Sequence, residues 1–450
     1  MKSTKFFLLV VFFLASCGTP ATIAPAATET FTPEPTATQT LVPTSTVTPA
    51  PTQIGGSSGK IIFSYRKDGF AENFPELAGE LNLFVANLDG SNITPVTNGL
   101  DGFNYLQDIS SDGTKILVAS NPKYNENSSL YVVDLSNLDA QPVLIAKETP
   151  PTNGWTVSAK WIDDSHIVYI AKGDEGLGIY TSSIDGTVPA NIYKNTSGLE
   201  QGNPVEILAI NDSRIYWGGE TRIKQGNRSY VTSFAWSTNL DSNETVKIEF
   251  DDKQITYSNL GGKHSIAFSP DTNTIAWSEA ATPESGPPYH NYLHIAPVSD
   301  LNNAYTMEIF AGYPELQWFP DGTKILVFDQ QIIRKPKEEY ADFFKENPQF
   351  ESLYGMYEVG ASPDLPVKNY DLPVDTMIAI KQITGGYNFQ LTDIYDISPD
   401  GRQIMFQIYK INDDGSISSK LNILNMETIV FSDTSDSAFS NIAGGVHWIP

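Results

Sequence analysis

Residues 317–329 read QWFPDGTKILVFD. Three further stretches repeat the pattern: DISSDGTKILVAS (108–120), AFSPDTNTIAWSE (267–279) and DISPDGRQIMFQI (396–408). Two shorter versions are KWIDDSHIVYIA (160–171) and AINDSRIYWGG (209–219). Each reads as an apolar strand, a tight turn and a second strand rich in Ile, Val and aromatics. The turn chemistry explains the letters. Proline presets φ at the first turn position in Pro270, Pro320 and Pro399. The aspartate that follows (Asp112, Asp271, Asp321, Asp400) can bond the turn backbone, and Gly113, Gly322 and Gly401 take the positive-φ position. These aspartates are therefore read as turn-formers and not as catalysts.

Three residues before each aspartate lies an apolar column, Ile109, Trp161, Ala209, Phe268, Trp318 and Ile397. Two residues earlier lies another, Gln107, Ala159, Ile207, Ile266, Leu316 and Tyr395. Period-two spacing puts both columns on one strand face. The copies stand 52, 48, 59, 50 and 79 residues apart. The chain end supplies a seventh: Val446-His447-Trp448-Ile449-Pro450 matches the first strand and stops at the proline. Its continuation lies at the other end of the domain, as Gly59-Lys60-Ile61-Ile62-Phe63-Ser64. The pattern predicts an all-β domain over 59–450, a seven-bladed β-propeller of four-stranded blades. The C-terminal strand would join the N-terminal blade and remove the open sheet edges.

The S-P-D-G-x-x-I-x-F segments and Leu83-Phe84-Val85-Ala86-Asn87-Leu88-Asp89-Gly90 resemble the WD-like repeats of TolB-type proteins. They are similar also to the N-terminal propeller of dipeptidyl-peptidase-IV-like enzymes. The resemblance implies a propeller over 59–450 and specifies fold, not chemistry. TolB-type propellers usually have six blades, whereas seven copies are counted here. The peptidases carry a further α/β-hydrolase domain, whereas this sequence ends at the closing strand.

The N-terminus is of another kind. Lys2 and Lys5 precede the apolar run FFLLVVFFL (6–14), which is too short to span a bilayer and fits a signal peptide. Leu14-Ala15-Ser16-Cys17 resembles the lipobox of bacterial lipoproteins. The resemblance implies removal of residues 1–16 and lipidation of Cys17, the single cysteine of the chain. Residues 17–58 hold the lipidated cysteine and a Thr/Pro-rich linker too poor in large apolar residues to order itself. The expected location is outside the cytoplasm, on a membrane through its lipid anchor, facing outside or the periplasm.

Of 450 residues, 28 are Lys or Arg and 53 are Asp or Glu, a formal charge of −25. Such a chain does not neutralise phosphates, so nucleic acid is not an expected partner. Hydrophobic residues make up 40%, enough for a sizeable core. One cysteine excludes intrachain disulfides and cysteine-rich zinc sites. No phosphate-binding or zinc-protease motif occurs. His290 and His294 would sit about 13 Å apart along a strand, too far to share a metal. No catalytic residue, cofactor or metal is expected.

The 79-residue spacing places an insertion near 330–374. Within it, residues 337–345 suit a short amphipathic helix with Tyr340, Phe343 and Phe344 on one side. Loops joining second to third strands should share one face, and several are read as long: 65–80, 120–128, 218–229, 278–291 and 330–374. Tyr289, His290, Tyr340, Phe343 and Phe344 are the candidate binding surface, with Tyr65, Phe70, Phe74, Tyr124 and Arg222 beside them. The expected function is a monomeric, non-enzymatic module that binds an envelope protein or glycan. The alternative is an extracellular glycan hydrolase or lyase that uses paired carboxylates on that face.

Overall fold

The recurring turn shows how local chemistry builds the domain. In residues 110–115 the Gly113 N–H donates to Ser110 O (2.8 Å), and Asp112 Oδ1 accepts from the Thr114 N–H (2.9 Å) and the Ser110 hydroxyl (2.7 Å). The same closing bond recurs from Gly322 to Phe319, from Gly401 to Ser398 and from Thr272 to Ser269. Gly113, Gly322 and Gly401 have φ of 68, 68 and 69°, while Thr272 takes the same position at 56°. The bonds from Thr114 and Ser110 hold the Asp112 carboxyl down at about 2, as befits an exposed turn anchor.

The computed structural model describes residues 59–66, 81–123, 128–149, 158–173, 176–186, 190–194, 203–211, 213–225, 228–248, 266–280, 291–309, 315–329, 350–353, 355–364, 368–370, 378–380, 392–411, 417–427, 430–433 and 442–450. They lie in the unit Pro51–Pro450. Among them the only helical element is a 3-10 turn, Leu301–Asn303. The protein is all-β, and its strands fall into antiparallel runs of four.

One sheet contains β1 (Lys60–Arg66), β2 (Leu81–Asn87), β3 (Thr94–Pro95), β4 (Phe103–Ile109), β5 (Lys115–Asn121), β6 (Ser128–Asp134), β7 (Val143–Thr149) and the C-terminal β30 (Ile442–Ile449). Its order is β30-β1-β2-β4-β5-β6-β7, with β3 on β2. A single parallel pair, Leu81 with Phe103, joins the β30-β1-β2-β3 part to the β4–β7 part. The next sheet holds β8 (Ala159–Trp161), β9 (His166–Gly173), β10 (Gly176–Ser183) and β11 (Ala190–Lys194). Then follow β12 (Asn203–Ile210), β13 (Arg214–Gln225), β14 (Arg228–Asn239) and β15 (Thr245–Ile248). The fourth sheet holds β16 (Ile266–Phe268), β17 (Thr274–Ala280), β18 (Asn291–Pro297) and β19 (Tyr305–Ile309). The fifth holds β20 (Glu315–Trp318), β21 (Lys324–Asp329), β23 (Gly355–Gly360) and β24 (Lys368–Tyr370). The sixth holds β26 (Thr392–Ile397), β27 (Gln403–Ile411), β28 (Ile417–Asn425) and β29 (Val430–Asp433). A small separate sheet pairs β22 (Phe350–Leu353) with β25 (Ile378–Ile380).

The second strands read as unbroken apolar runs because both of their faces are covered. In β5, Ile116 and Val118 pack in one cluster and Leu117 in another, and all three are fully buried. Consecutive sheets share such clusters. Leu117, Leu130 and Ile145 meet Ile167 and Tyr169, and Ile179 and Ile192 meet Trp217 and Trp236. Ala235 meets Ile266 and Trp277, and Leu293 and Ile295 meet Trp318 and Val327. Met405 and Ile423 meet Ile61, Phe63 and Trp448. Ile62, Leu83, Val96 and Ile449 meet Ile116, Val118 and Val133.

The turns also stack. A Cβ added to Gly322 would stand 3.7 Å from Pro270, and one on Gly401 would stand 3.8 Å from Pro320. At Gly113 it would stand 3.5 Å from Pro450 Cδ but only 3.0 Å from Ile449 Cγ2 and Pro450 O. Gly113→Ala and Gly322→Ala therefore share the cost of positive φ, about 1–2 kcal/mol. The Gly113 variant alone must also push β30 away. Its melting temperature is expected to fall further than that of Gly322→Ala, and equal falls would show that the Ile449–Gly113 contact contributes nothing.

Two loops differ from their sequence reading. Residues 218–229 are not a long loop, because β13 and β14 stay paired from Arg214↔Asn239 to Gln225↔Arg228. Within 330–374, β23 and β24 are the third and fourth strands of their sheet, so the extra chain between second and third strands is 330–354.

Candidate functional site

In β8, β16, β20 and β30 the two columns share a face and the residue between them lies on the other, whereas in β4, β12 and β26 a register shift interrupts the alternation expected from sequence. These intervening residues are Asp108 (β4), Lys160 (β8), Leu208 (β12), Ala267 (β16), Gln317 (β20), Asp396 (β26) and His447 (β30). All seven are half-buried. In chain order Gln317, Asp396 and His447 are followed, through the β30–β1–β2–β4 sheet, by Asp108 and then Lys160. Five polar positions thus run consecutively and leave Leu208 and Ala267 as the apolar remainder.

Contacts tie this arc together. Gln317 Nε2 donates to Asp396 Oδ1 (3.2 Å), and the Trp448 N–H donates to Asp396 Oδ2 (3.0 Å). The Ile397 N–H donates to Asp396 Oδ1 (2.9 Å). His447 Nδ1 stands 3.8 Å from Asp396 Oδ2. On β4, Asp108 Oδ2 accepts from the Trp161 N–H at 2.9 Å. Asp108 and Asp396 are register-equivalent and do the same thing: each accepts from the backbone of the following first strand. They cap amides that would otherwise lack a partner at an uncovered strand edge.

The electrostatics follow from enclosure. Burial pushes the Asp396 carboxyl up to about 7 against its three N–H donors. Burial also raises Asp108, with the Lys160 charge and the Trp161 and Ile109 N–H groups opposing. Burial lowers His447 to about 4, and the nearby Lys160 cation adds to this. Yet 40% of the His447 side chain and 23% of that of Asp396 stay open to solvent. In the neutral range His447 is uncharged, 3.8 Å from the Asp396 carboxyl.

The residues chosen from sequence, Tyr289, His290, Tyr340, Phe343 and Phe344, lie outside the described residues, as do the 337–345 segment, Phe70, Phe74 and Tyr124. Arg222 lies in β13. Tyr65 is described; it packs edge-on against Phe84 at 5.3 Å between ring centres. His294 stacks on Trp277 (5.0 Å) and reaches Thr306 Oγ1 with Nδ1 at 2.9 Å, a structural placement. His447 lies in β30 with Nδ1 toward Asp396. The sequence signal for the arc was present. It is the column four residues before each turn aspartate, which lies between the two apolar columns.

No family model matches the chain, and no curated protein does. Similar solved structures exist. TolB from Acinetobacter baumannii is 14% identical, with a TM-score of 0.40 over 70% of this chain and 66% of that one. An oligogalacturonate lyase from Vibrio parahaemolyticus is 14% identical, with a TM-score of 0.48 over 84% of this chain and 86% of that one. The tricorn protease is 14% identical, with a TM-score of 0.46 over 84% of this chain and only 35% of its own. This chain thus spans less than two thirds of TolB and about a third of the protease. At such identity no residue's role is carried across. Among the described residues, no helix is long and apolar enough to cross a membrane.

Proposed function

We propose that the protein is an exported lipoprotein, anchored through Cys17, whose 59–450 domain is a closed seven-bladed β-propeller. Its work is non-enzymatic recognition of an envelope protein or glycan. One observation carries the binding reading. Asp396 accepts on both oxygens, from Trp448, Ile397 and Gln317, and Asp108 accepts from the Trp161 amide through Oδ2. A carboxylate used as acid or base needs an oxygen available to substrate. The net charge of −25 argues for a partner other than nucleic acid.

Two features support closure. The Ile62–Ile449–Ile116 cluster joins the C-terminal and N-terminal strands to β5 as other clusters join consecutive sheets. A groove of about 460 Å³ lies between Phe319, Pro320, Lys324 and Asp400, Gly401, Arg402. Another of about 510 Å³ lies between the repeat-equivalent Ile449, Pro450, Lys60 and Asp112, Gly113, Thr114. The junction made by the chain's end thus has the form of a junction between neighbours in sequence.

A second reading, a glycan-active enzyme, is favoured by one fact. Asp396 titrates near 7 beside His447, a pairing suited to proton transfer at neutral pH. The full chain, solubilised from membranes, is expected to capture envelope material and to release it chemically unchanged. Captured glycan that is recovered cleaved, with cleavage lost in Asp396→Asn, would replace the first reading by the second. Cys17→Ala is expected to yield soluble or unprocessed protein. A variant still membrane-bound after loss of residues 1–16 would defeat the lipid anchor.

A further inference from the structure

The groove of about 460 Å³ lies where the turn at Pro399, Asp400 and Gly401 stacks on Phe319 and Pro320. Clefts that hold ligands run from about 300 to 1,000 Å³. Phe319 and Met426 are buried and give the groove an apolar floor, while Pro320 and Pro399 are exposed at its two sides. Four carboxylates line it, Asp321, Glu358, Asp400 and Glu427, against two cations, Lys324 and Arg402.

The fold does not require this chemistry. The third residues of the six second strands are Leu117, Val168, Tyr216, Ala276, Leu326 and Met405. They face Val132, Thr181, Ser237, Ile295, Glu358 and Ile423 on the third strands. Glu358 is the one carboxylate in that row, and its side chain is only 8% exposed. A charge so enclosed is costly unless it is paired. Lys324 Nζ stands 3.2 Å from Glu358 Oε2 and 4.6 Å from the centre of the Phe319 ring. The groove thus already holds one ammonium between a carboxylate and an aromatic face.

Its two sides offer room for a second. Asp321 Oδ1 accepts from the Thr323 N–H and hydroxyl, and Asp400 Oδ1 from the Ser398 hydroxyl and the Arg402 N–H. Among the described residues no hydrogen bond or ion pair reaches Oδ2 of either. The repeat-equivalent groove at Ile449 and Pro450 has the same form without the excess charge. Its lining holds one base, Lys60, and one acid, Asp112, whose two oxygens both accept from the Thr114 hydroxyl.

We propose that the groove beside Glu358 receives the side chain of a lysine on a partner protein. One open oxygen on each turn suits an ammonium, a point charge with three donors. Arginine needs two oxygens of one carboxylate for its fork, and the turns have already taken one of each. The lysine's methylenes lie between Pro320 and Pro399 while its charge reaches the acids. A chain of net charge −25 draws such a partner. The inference rests on the binding-module reading and names the partner's chemistry at one place.

The test uses the full chain in detergent and the labelled peptide Ala-Val-Lys-Val-Ala, followed by fluorescence anisotropy. Binding is expected, and it should weaken with added salt. It should fall about tenfold when the lysine is Nε-acetylated, the loss of a charge-assisted hydrogen bond. The Asp321→Asn, Asp400→Asn double variant should show a similar loss. Asparagine keeps Oδ1 as the turn acceptor, so the melt should not change. If it does, Glu427→Gln, on the exposed rim, is measured instead and must weaken binding. Asp112→Asn, in the equivalent groove, should bind like the parent. Absent peptide binding overturns the proposal. So does equal affinity for the acetylated peptide or its arginine counterpart, or an equal loss in Asp112→Asn. Displacement of the peptide by an equal concentration of cadaverine would also overturn it and give the groove to a free amine. Failure here with envelope capture intact removes this inference and leaves the binding-module reading standing.

Discussion

A chain lacking residues 444–450 is expected to aggregate or be digested, not to melt like the parent. The deletion removes most of β30, which pairs with β1 from Lys60↔Ile449 to Tyr65↔Ile442. It takes away Val446, Trp448 and Ile449, which are 0, 3 and 5% exposed. Burial of a tryptophan covers up to about 200 Å², worth about 5 kcal/mol at 25 cal/mol per Å². A domain's whole stability is about 5–15 kcal/mol, so this one side chain is a large fraction of it. Two further losses point the same way. β1 becomes an open apolar edge holding Ile61, Ile62 and Phe63, and Asp396 loses the Trp448 amide. Thermal melting with limited proteolysis reads the result. A truncated chain as stable as the parent would remove the closed seven-bladed reading. Deletion of 18–54, by contrast, is expected to leave the melting temperature unchanged.

Asp396→Asn is expected to reverse its effect with pH. Two forces compete at this carboxyl: three N–H donors favour the charged form, while enclosure favours the neutral one. Enclosure prevails, since the group titrates near 7 in the fold against 3.8 when unperturbed. A folded-state pKa raised above the unfolded value gives stability that is complete below 3.8 and is lost as pH rises through about 7. The parent therefore carries a cost of a few kcal/mol on the alkaline side, and the isosteric amide avoids it. The variant should melt close to the parent at acidic pH and above it on the alkaline side of 7. His447 works in the other direction. Its folded pKa is lowered from 6.5 to about 4, so its contribution is present above 6.5 and fades as pH falls through 4. In the parent the two slopes oppose each other between 4 and 6.5; the variant should show the histidine slope alone. Melts across the pH range decide this. A variant less stable than the parent by the same margin at all pH values would mean that Asp396 is ionised throughout and acts as a charged clasp.

The turns were legible from sequence because their chemistry is local. Pro320, Asp321 and Gly322 need only their own neighbours to adopt their conformation, and so the copies, their strands and the split pairing of β30 with β1 could be read from letters. Asp108 and Asp396 were not legible in the same way. Their partners, Trp161 and Trp448, lie 53 and 52 residues away, and a polar residue at a strand position reads as solvent-facing until the neighbouring strand is known. The β13–β14 ribbon was missed for another reason. TRIKQ and RSYVT carry no strict apolar alternation, and 218–229 was therefore read as a loop. The register of β22 with β25 had no signal at all, since strands of four and three residues fall below any periodicity. The aromatic residues singled out in 281–290 and 330–349 lie outside the described residues.

The placement of β1 has a mechanical consequence. It is the first of the described strands, yet it lies inside its sheet, between β30 and β2, and is antiparallel to both. Tension entering the chain ahead of Gly59 pulls along β1 and therefore across its hydrogen bonds. Seven register positions on the β2 side and six on the β30 side are loaded together in shear. An edge strand peeled sideways would instead yield one pair at a time. Such tension thus falls on a strand that is paired along both of its edges.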